Sequence, residues 1–193
     1  MKTNMHIIEC YALSCGLKID KPTMEIEEIE LPTEKYITFH PDCAKGNTRN
    51  YEHWGNVLDE IKDLGYKILR IGNDEKILNQ NGKAAQEACL DETYFNSINL
   101  KQLAFLIKNC SLHLGYDSLP IHIASMFSKK IVGLYSLYSS HSYPYWSKKE
   151  DIRLHEPDWK LYKPSFNYME QTPIINTIDH KEVTRSVKEL LSV

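Results

Sequence analysis

The sequence predicts an α/β fold, a doubly wound and mainly parallel sheet of Rossmann-like type, and three observations lead there. From residue 36 onward short apolar runs alternate with amphipathic helical stretches, the pattern of strands joined by crossover helices. The stretch Gly115-Tyr116-Asp117-Ser118-Leu119-Pro120-Ile121-His122-Ile123-Ala124-Ser125 sits between the apolar runs 111–114 and 130–135, and so reads as strand, polar turn, helix and strand. A chain of 193 residues that is 42% hydrophobic and 25% charged suits one globular core and leaves little room for two. Residues 36–193 are assigned to that domain, and residues 1–35 to a linker and bracing segment.

In chain order, the first 35 residues hold a helical pattern over 4–14, then Gly16 and an acidic stretch 25–30 broken by Pro22 and Pro32. Tyr36–His40 is a buried strand, followed by the polar loop 41–50. Trp54, Val57, Leu58 and Ile61 recur at helical spacing and predict a helix over 51–64, with Gly65 ending it. Residues 66–72 are a second strand, 73–92 carry a broken helical pattern, and 94–98 form a short third strand. Asn99 is a suitable N-cap for a helix over 99–110. A strand at 112–115, a helix at 120–128 and a strand at 131–135 follow. Residues 136–173 are rich in Tyr, Ser, Trp and Pro, which predicts a long loop with one strand near 152–154. Val183, Val187, Leu190 and Leu191 share one face of a closing helix over 178–193.

Composition excludes several classes. A formal net charge of −3 argues against nucleic-acid binding, because a phosphate backbone is met by a basic excess. Five cysteines without a C-x-x-C spacing indicate neither a disulfide framework nor a zinc site, and are expected to be reduced thiols in a cytoplasmic protein. No run approaches the roughly 18–20 apolar residues of a membrane span, and no long apolar leader opens the chain. No Walker pattern is present, and no D-x-D pair points to a metal.

The turn at 117–122 carries the clearest chemistry. Backbone amides and the Ser118 hydroxyl at a helix start can hold phosphate oxygens, with the helix dipole adding about 0.3–1 kcal/mol, or about 2 kcal/mol when partly buried. His122 follows Ser118 by about one turn and can donate into the same space. Asp117 would repel a phosphate, so it is expected to accept from sugar hydroxyls or to pin the loop. The competing interpretation is an Asp/Ser helix cap followed by a core histidine. The long loop offers Tyr138, His141, Tyr143, Tyr145 and Trp146, whose faces suit a sugar or base but would equally cover a sheet edge or form a protein interface.

A resemblance rests on these residues in this order. A Y-I-x-F-H-P strand end, a basic loop ending in Arg49-Asn50-Tyr51-Glu52-His53-Trp54, G-Y-K-I-L-R-I-G, N-L-K-Q-L-A-F-L-I-K-N-C and D-S-L-P-I-H-I-A-S follow one another along the chain. Together they look like the C-terminal half of the heptosyltransferase-like glycosyltransferases of family 9, over about residues 36–193. The resemblance implies a GT-B architecture, two Rossmann-like domains facing a cleft, with a nucleotide-sugar donor held mainly by the half seen here. It implies that a basic residue of the first loop, Arg49 or next Lys45, approaches the donor phosphates. It places an acidic residue, Glu75 or next Asp74, on the ribose hydroxyls. Asp117, Ser118 and His122 complete the expected donor site.

The sequence departs from the family at one position, where a common glycine is replaced by Leu119 and followed by Pro120. Leucine adds a side chain and proline removes an amide donor, so phosphate binding at this turn is expected to be weaker or differently angled. The helix itself tolerates a proline in its first turn. The resemblance further implies transfer of a sugar to a glycan or lipopolysaccharide-type acceptor, with no cofactor or metal and with the nucleotide sugar as substrate. The acceptor's base is expected from an N-terminal Rossmann-like domain that this chain lacks, a separate domain on another chain, so no catalytic base is assigned here. Two alternatives stay open: a nucleotide-sugar-binding module without catalysis, and a scaffold whose aromatic loop binds a protein.

Overall fold

The computed structural model describes residues 5–41, 50–72, 90–95, 97–136, 141–158, 160–161 and 174–193. Six strands, β1 (Tyr36–His40), β2 (Lys67–Gly72), β3 (Glu92–Phe95), β4 (Leu112–Tyr116), β5 (Lys130–Leu134) and β6 (Ile152–His155), form one sheet in the order β3-β2-β1-β4-β5-β6. Each of the five pairings is parallel. The strand order therefore reverses between β1 and β4, the arrangement of a doubly wound sheet. Five α-helices accompany the strands among the described residues: α1 (Ile7–Cys15), α2 (Trp54–Ile61), α3 (Leu100–Asn109), α4 (Leu119–Met126) and α5 (His180–Leu191).

Side-chain alternation explains why both faces are covered. Ile37 and Phe39 of β1, Leu112, Leu114 and Tyr116 of β4, and Val132 and Leu134 of β5 point to the face covered by α2 and α5. Tyr36, Leu69, Ile71, Ile131 and Tyr135 point to the face covered by α3 and α4. Strands buried on both sides read as continuous apolar runs, which is why β1 and β4 stand out in the sequence. Eight-residue α2 is too short to persist alone. It is held by Trp54, Val57, Leu58 and Ile61, each fully buried side chain of this size contributing about 1.5–3 kcal/mol.

Most boundaries shift by one to three residues from the sequence-based expectation, and for three of them the contacts show what the local pattern missed. The helix predicted over 51–64 is α2, Trp54–Ile61. Tyr51 is drawn inward instead, its amide donating to the Tyr116 hydroxyl at 2.6 Å and its own hydroxyl donating to the Ile178 carbonyl at 2.9 Å. The third strand lies at Glu92–Phe95 rather than 94–98, because Asp91 locks onto Ile68 through its amide (3.0 Å) and its carboxylate (2.7 Å). The strand then ends in time for Asn99 to cap α3 in a reciprocal box with Gln102. β4 runs one residue further than predicted, to Tyr116, which pairs with Leu134 of β5.

Before β1, α1 opens with a capping box of His6 and Glu9 and ends at Gly16 in the left-handed region. Residues 17–35 contain no helix or strand. Met24, Ile26, Ile29 and Leu31 pack on the α3/α4 face, and the Glu27 amide donates to the Lys101 carbonyl at 3.3 Å. Cys10, Cys15 and Cys110 are free thiols.

Candidate functional site

The strand order reverses between β1 and β4, so their carboxyl ends form the topological switch point, the place where doubly wound sheets bind ligands. Ser118 is the N-cap residue of α4, with extended backbone at φ −157°, yet its side chain makes no capping bond. The reason is local: Pro120 has no N–H to offer, and the Ile121 amide already bonds the Ser118 carbonyl at 3.2 Å. The hydroxyl turns instead to Nδ1 of His40, the last residue of β1, at 3.1 Å, and to the Tyr116 carbonyl at 3.3 Å. Ser118 therefore holds the cap position of α4 without capping it through its side chain.

Asp117 extends the sheet ladder by donating its amide to the Leu134 carbonyl at 3.0 Å. Its carboxylate accepts from the Ser142 hydroxyl at 3.1 Å and lies 3.5 Å from Nε2 of His122. The side chain of His122 is 44% exposed, so it is not a core histidine. Asp117, Ser118 and His122 thus gather at one turn, with Asp117 tied to the loop that follows β5. Leu119 is 56% exposed at the same turn.

Beside the turn stand two imidazoles, His113 buried and His40 partly buried. Burial pushes the His40 pKa down to about 4, with the positive charge of Arg70 adding to the effect, so His40 is neutral near pH 7. His113 is fully buried and pushed down to about 3 by the same loss of solvation, with His40 a smaller contribution. Nδ1 of His113 bonds the Thr38 hydroxyl at 3.0 Å, and its Nε2 has no hydrogen-bond partner. Gly115 makes room for the His40 backbone and the His113 ring, since a Cβ there would lie 2.8 Å from the His40 carbonyl oxygen and 3.3 Å from Nε2 of His113.

The aromatic loop reaches α1. Nε2 of His6 donates to the Tyr143 carbonyl at 2.9 Å while its Nδ1 accepts from the Ile8 amide, and the Tyr145 hydroxyl donates to Glu9 at 2.8 Å. A largely apolar concavity of about 280 Å³ lies here, with Ile7, Tyr11, Pro22, His122, Tyr145 and Trp146 among its walls. His122 therefore borders both the switch-point turn and this concavity.

Arg49, Lys45 and Glu75, like Asp74 and Tyr138, lie outside the described residues. His40, Arg70, His113 and Ser142 were not singled out by sequence reasoning. The signal for His40 was its place at the end of a buried strand, before Pro41. Among the described residues no group of three or more His, Cys, Asp or Glu side chains could hold a metal ion, and no helix is long and apolar enough to cross a membrane.

A parallel, doubly wound sheet whose polar residues converge at the switch point defines a Rossmann-like α/β domain. Residues 8–167 match the model of glycosyltransferase family 9 (heptosyltransferase), and the chain belongs to that family. No curated protein matches it. Among solved structures it is similar to the E. coli ADP-heptose lipopolysaccharide heptosyltransferase II, at 18% identity and TM-score 0.61, over 95% of this chain and 50% of that one. A family 9 glycosyltransferase from Veillonella parvula gives 19% identity and TM-score 0.61 over the same shares. The E. coli heptosyltransferase WaaC with ADP gives 11% identity and TM-score 0.57, over 94% of this chain and 54% of that one. The chain spans about half the length of the solved structures it matches.

Proposed function

We propose that this chain is the donor-binding half of a family 9 glycosyltransferase, holding a nucleotide sugar for transfer to a glycan or lipopolysaccharide-type acceptor. The observation that carries this reading is the Ser118 hydroxyl, released from helix capping and held at the switch point with Asp117 and His122 beside it. Ser118 and the start of α4 take the diphosphate, with Arg49 and Lys45 neutralising charge as it develops on the leaving nucleotide. Glu75 accepts from the ribose hydroxyls, and His122 reaches toward the sugar side of the diphosphate. The acceptor's base comes from a second Rossmann-like domain facing this one. The nucleotide sugar is the substrate, and the work is placed in the cytoplasm.

The relatives supply the first probes. WaaC was solved with ADP, and the E. coli enzyme TibC with ADP-D-β-D-heptose. A thermal-shift and calorimetric panel of ADP, UDP, GDP and ADP-heptose tests the reading, with stabilisation by at least one nucleoside diphosphate as the expected result. No stabilisation by any of them at millimolar concentration rejects it. That result favours the scaffold alternative, for which the exposed Ile7, Tyr11 and Leu13 of α1 are the supporting observation.

A further inference from the structure

We propose that His40 is a positioning residue of the anion site: it donates from Nδ1–H to Ser118 Oγ and so frees the single serine proton for a ligand phosphate oxygen. The inference rests on the donor-binding reading and deepens it. Among the described residues Ser118 Oγ has two hydrogen-bond partners, Nδ1 of His40 at 3.1 Å and the Tyr116 carbonyl at 3.3 Å. A carbonyl can only accept, so the serine proton points to Tyr116. The contact with His40 is then a hydrogen bond only if the imidazole supplies its own N–H.

The tautomer decides what the serine offers at the switch point. With Nδ1 bare, the serine spends its proton on the ring and presents a lone pair to any arriving anion, which repels it. With Nδ1–H, the oxygen is already saturated from behind, and its proton is held only by the long contact to Tyr116. A bond of 3.3 Å is well beyond the roughly 2.7–2.8 Å preferred for O–H···O, so exchanging it for a charged phosphate oxygen is favourable. The resulting chain, N–H to O–H to phosphate, polarises cooperatively in a half-buried setting.

The surroundings fit this role. His40 is mostly buried and neutral near pH 7, so it adds a directed N–H and no charge that would need a counter-ion. Among the described residues, the charged and titratable groups that act on it are Arg70 of β2 and His113 of β4. Pro120 deprives the α4 start of one backbone donor, which raises the worth of a side-chain donor at this turn.

Two measurements test the assignment. In a long-range ¹H–¹⁵N spectrum of the unliganded protein, with His40 assigned by comparison with His40→Asn, Nδ1 should carry the proton and Nε2 should be bare. The opposite tautomer overturns the proposal, whatever the variants do. In calorimetric titrations with ADP and with inorganic pyrophosphate, His40→Leu should weaken binding about tenfold. His40→Asn, whose amide N–H takes the place of Nδ1–H, should stay within about threefold of the unsubstituted protein. In a Ser118→Ala background His40→Leu should cost nothing further, because the effect runs through the hydroxyl. Undiminished binding by His40→Leu, or an equal loss with and without the hydroxyl, overturns this role and leaves the donor-binding reading standing. If the unsubstituted protein binds neither probe, the donor-binding reading fails and takes this role with it.

Discussion

Ser118 shows how one backbone feature redirects a side chain. Proline two residues on removes the donor that a capping serine normally seeks, and the hydroxyl turns to a strand 78 residues earlier in the chain. That Asp117, Ser118 and His122 lie together was legible in the sequence because they fall within six residues at a strand-to-helix turn. His40 was not, because nothing local in Phe39-His40-Pro41 tells which strand will lie beside β1. Two ligand predictions belong at this scale. Arg49→Ala should weaken nucleoside-diphosphate binding by about 1.5–3 kcal/mol if its bond is charge-assisted and shielded, and unchanged calorimetric affinity would reject Arg49 as a ligand. Leu119→Gly should strengthen binding, since it takes an exposed side chain out of the turn, at a stability cost of about 1 kcal/mol or less. Weaker binding with the fold intact would mark Leu119 as part of an adapted pocket. The buried imidazoles give a third. His40 and His113 are held below their ordinary 6.5, at about 4 and about 3, so on acidification the unfolded chain takes up protons before the native one. Above pH 6.5 their contribution is complete. As pH falls from about 6.5 toward about 4, stability should drop by up to about 1.4 kcal/mol per unit for each ring, and each loss should stop at that ring's native value. Urea midpoints that do not fall between pH 7 and pH 5 would show that these rings do not titrate as buried neutral groups.

At the scale of elements, β1, β4 and β5 were readable because strands buried on both faces have few polar interruptions, and α3 because Asn99 announces its start. The start of α2 and the register of β3 were not readable. Tyr51 continues the helical pattern yet is pulled out of it by Tyr116 and Ile178, and the limits of β3 are set by Asp91 gripping Ile68. Both are tertiary contacts that override a local pattern. Gly115 is the point where β4 and the site depend on each other. A methyl group there meets the His40 backbone at 2.8 Å, which cannot swing aside as a side-chain tip can. Gly115→Ala should therefore cost about 1–3 kcal/mol in chemical denaturation, by forcing β1 and β4 apart at their carboxyl ends. It should also weaken ADP binding more than a distant change of equal stability cost, because the His40–Ser118 contact lies in that gap. Gly133→Ala is the matched control. Its closest neighbour is the Ile121 Cδ1 tip at 2.5 Å, which can rotate away, and its effect should fall on stability alone.

At the scale of the whole molecule, the argument concerns what one Rossmann-like half can do. The chain belongs to a glycosyltransferase family and spans about half the length of the solved structures it matches. Glycosyl transfer needs an acceptor hydroxyl, a base to deprotonate it and exclusion of water from the donor, and the half-enzyme reading proposed above assigns these to a facing second half. A path of contacts runs from the site to the exposed end of the molecule, from Asp117 through Ser142 and the neighbouring Tyr143 to His6 of the α1 cap. Beyond it α1 exposes Tyr11 and Leu13, each about two-thirds accessible, beside the concavity bordered by His122. Under the proposed half-enzyme reading, that apolar edge is where the acceptor half is expected to dock. The chain alone should bind ADP-heptose or a related donor, hydrolyse it slowly at most and transfer nothing measurable to an acceptor glycan. Adding a matching acceptor domain should restore transfer, and Tyr11→Ser with Leu13→Ser should blunt that restoration without altering donor affinity. Product analysis by mass spectrometry decides the matter. Robust transfer by the purified chain alone would overturn the half-enzyme reading and place the base within this domain, with His122, 3.5 Å from the Asp117 carboxylate, the first residue to substitute.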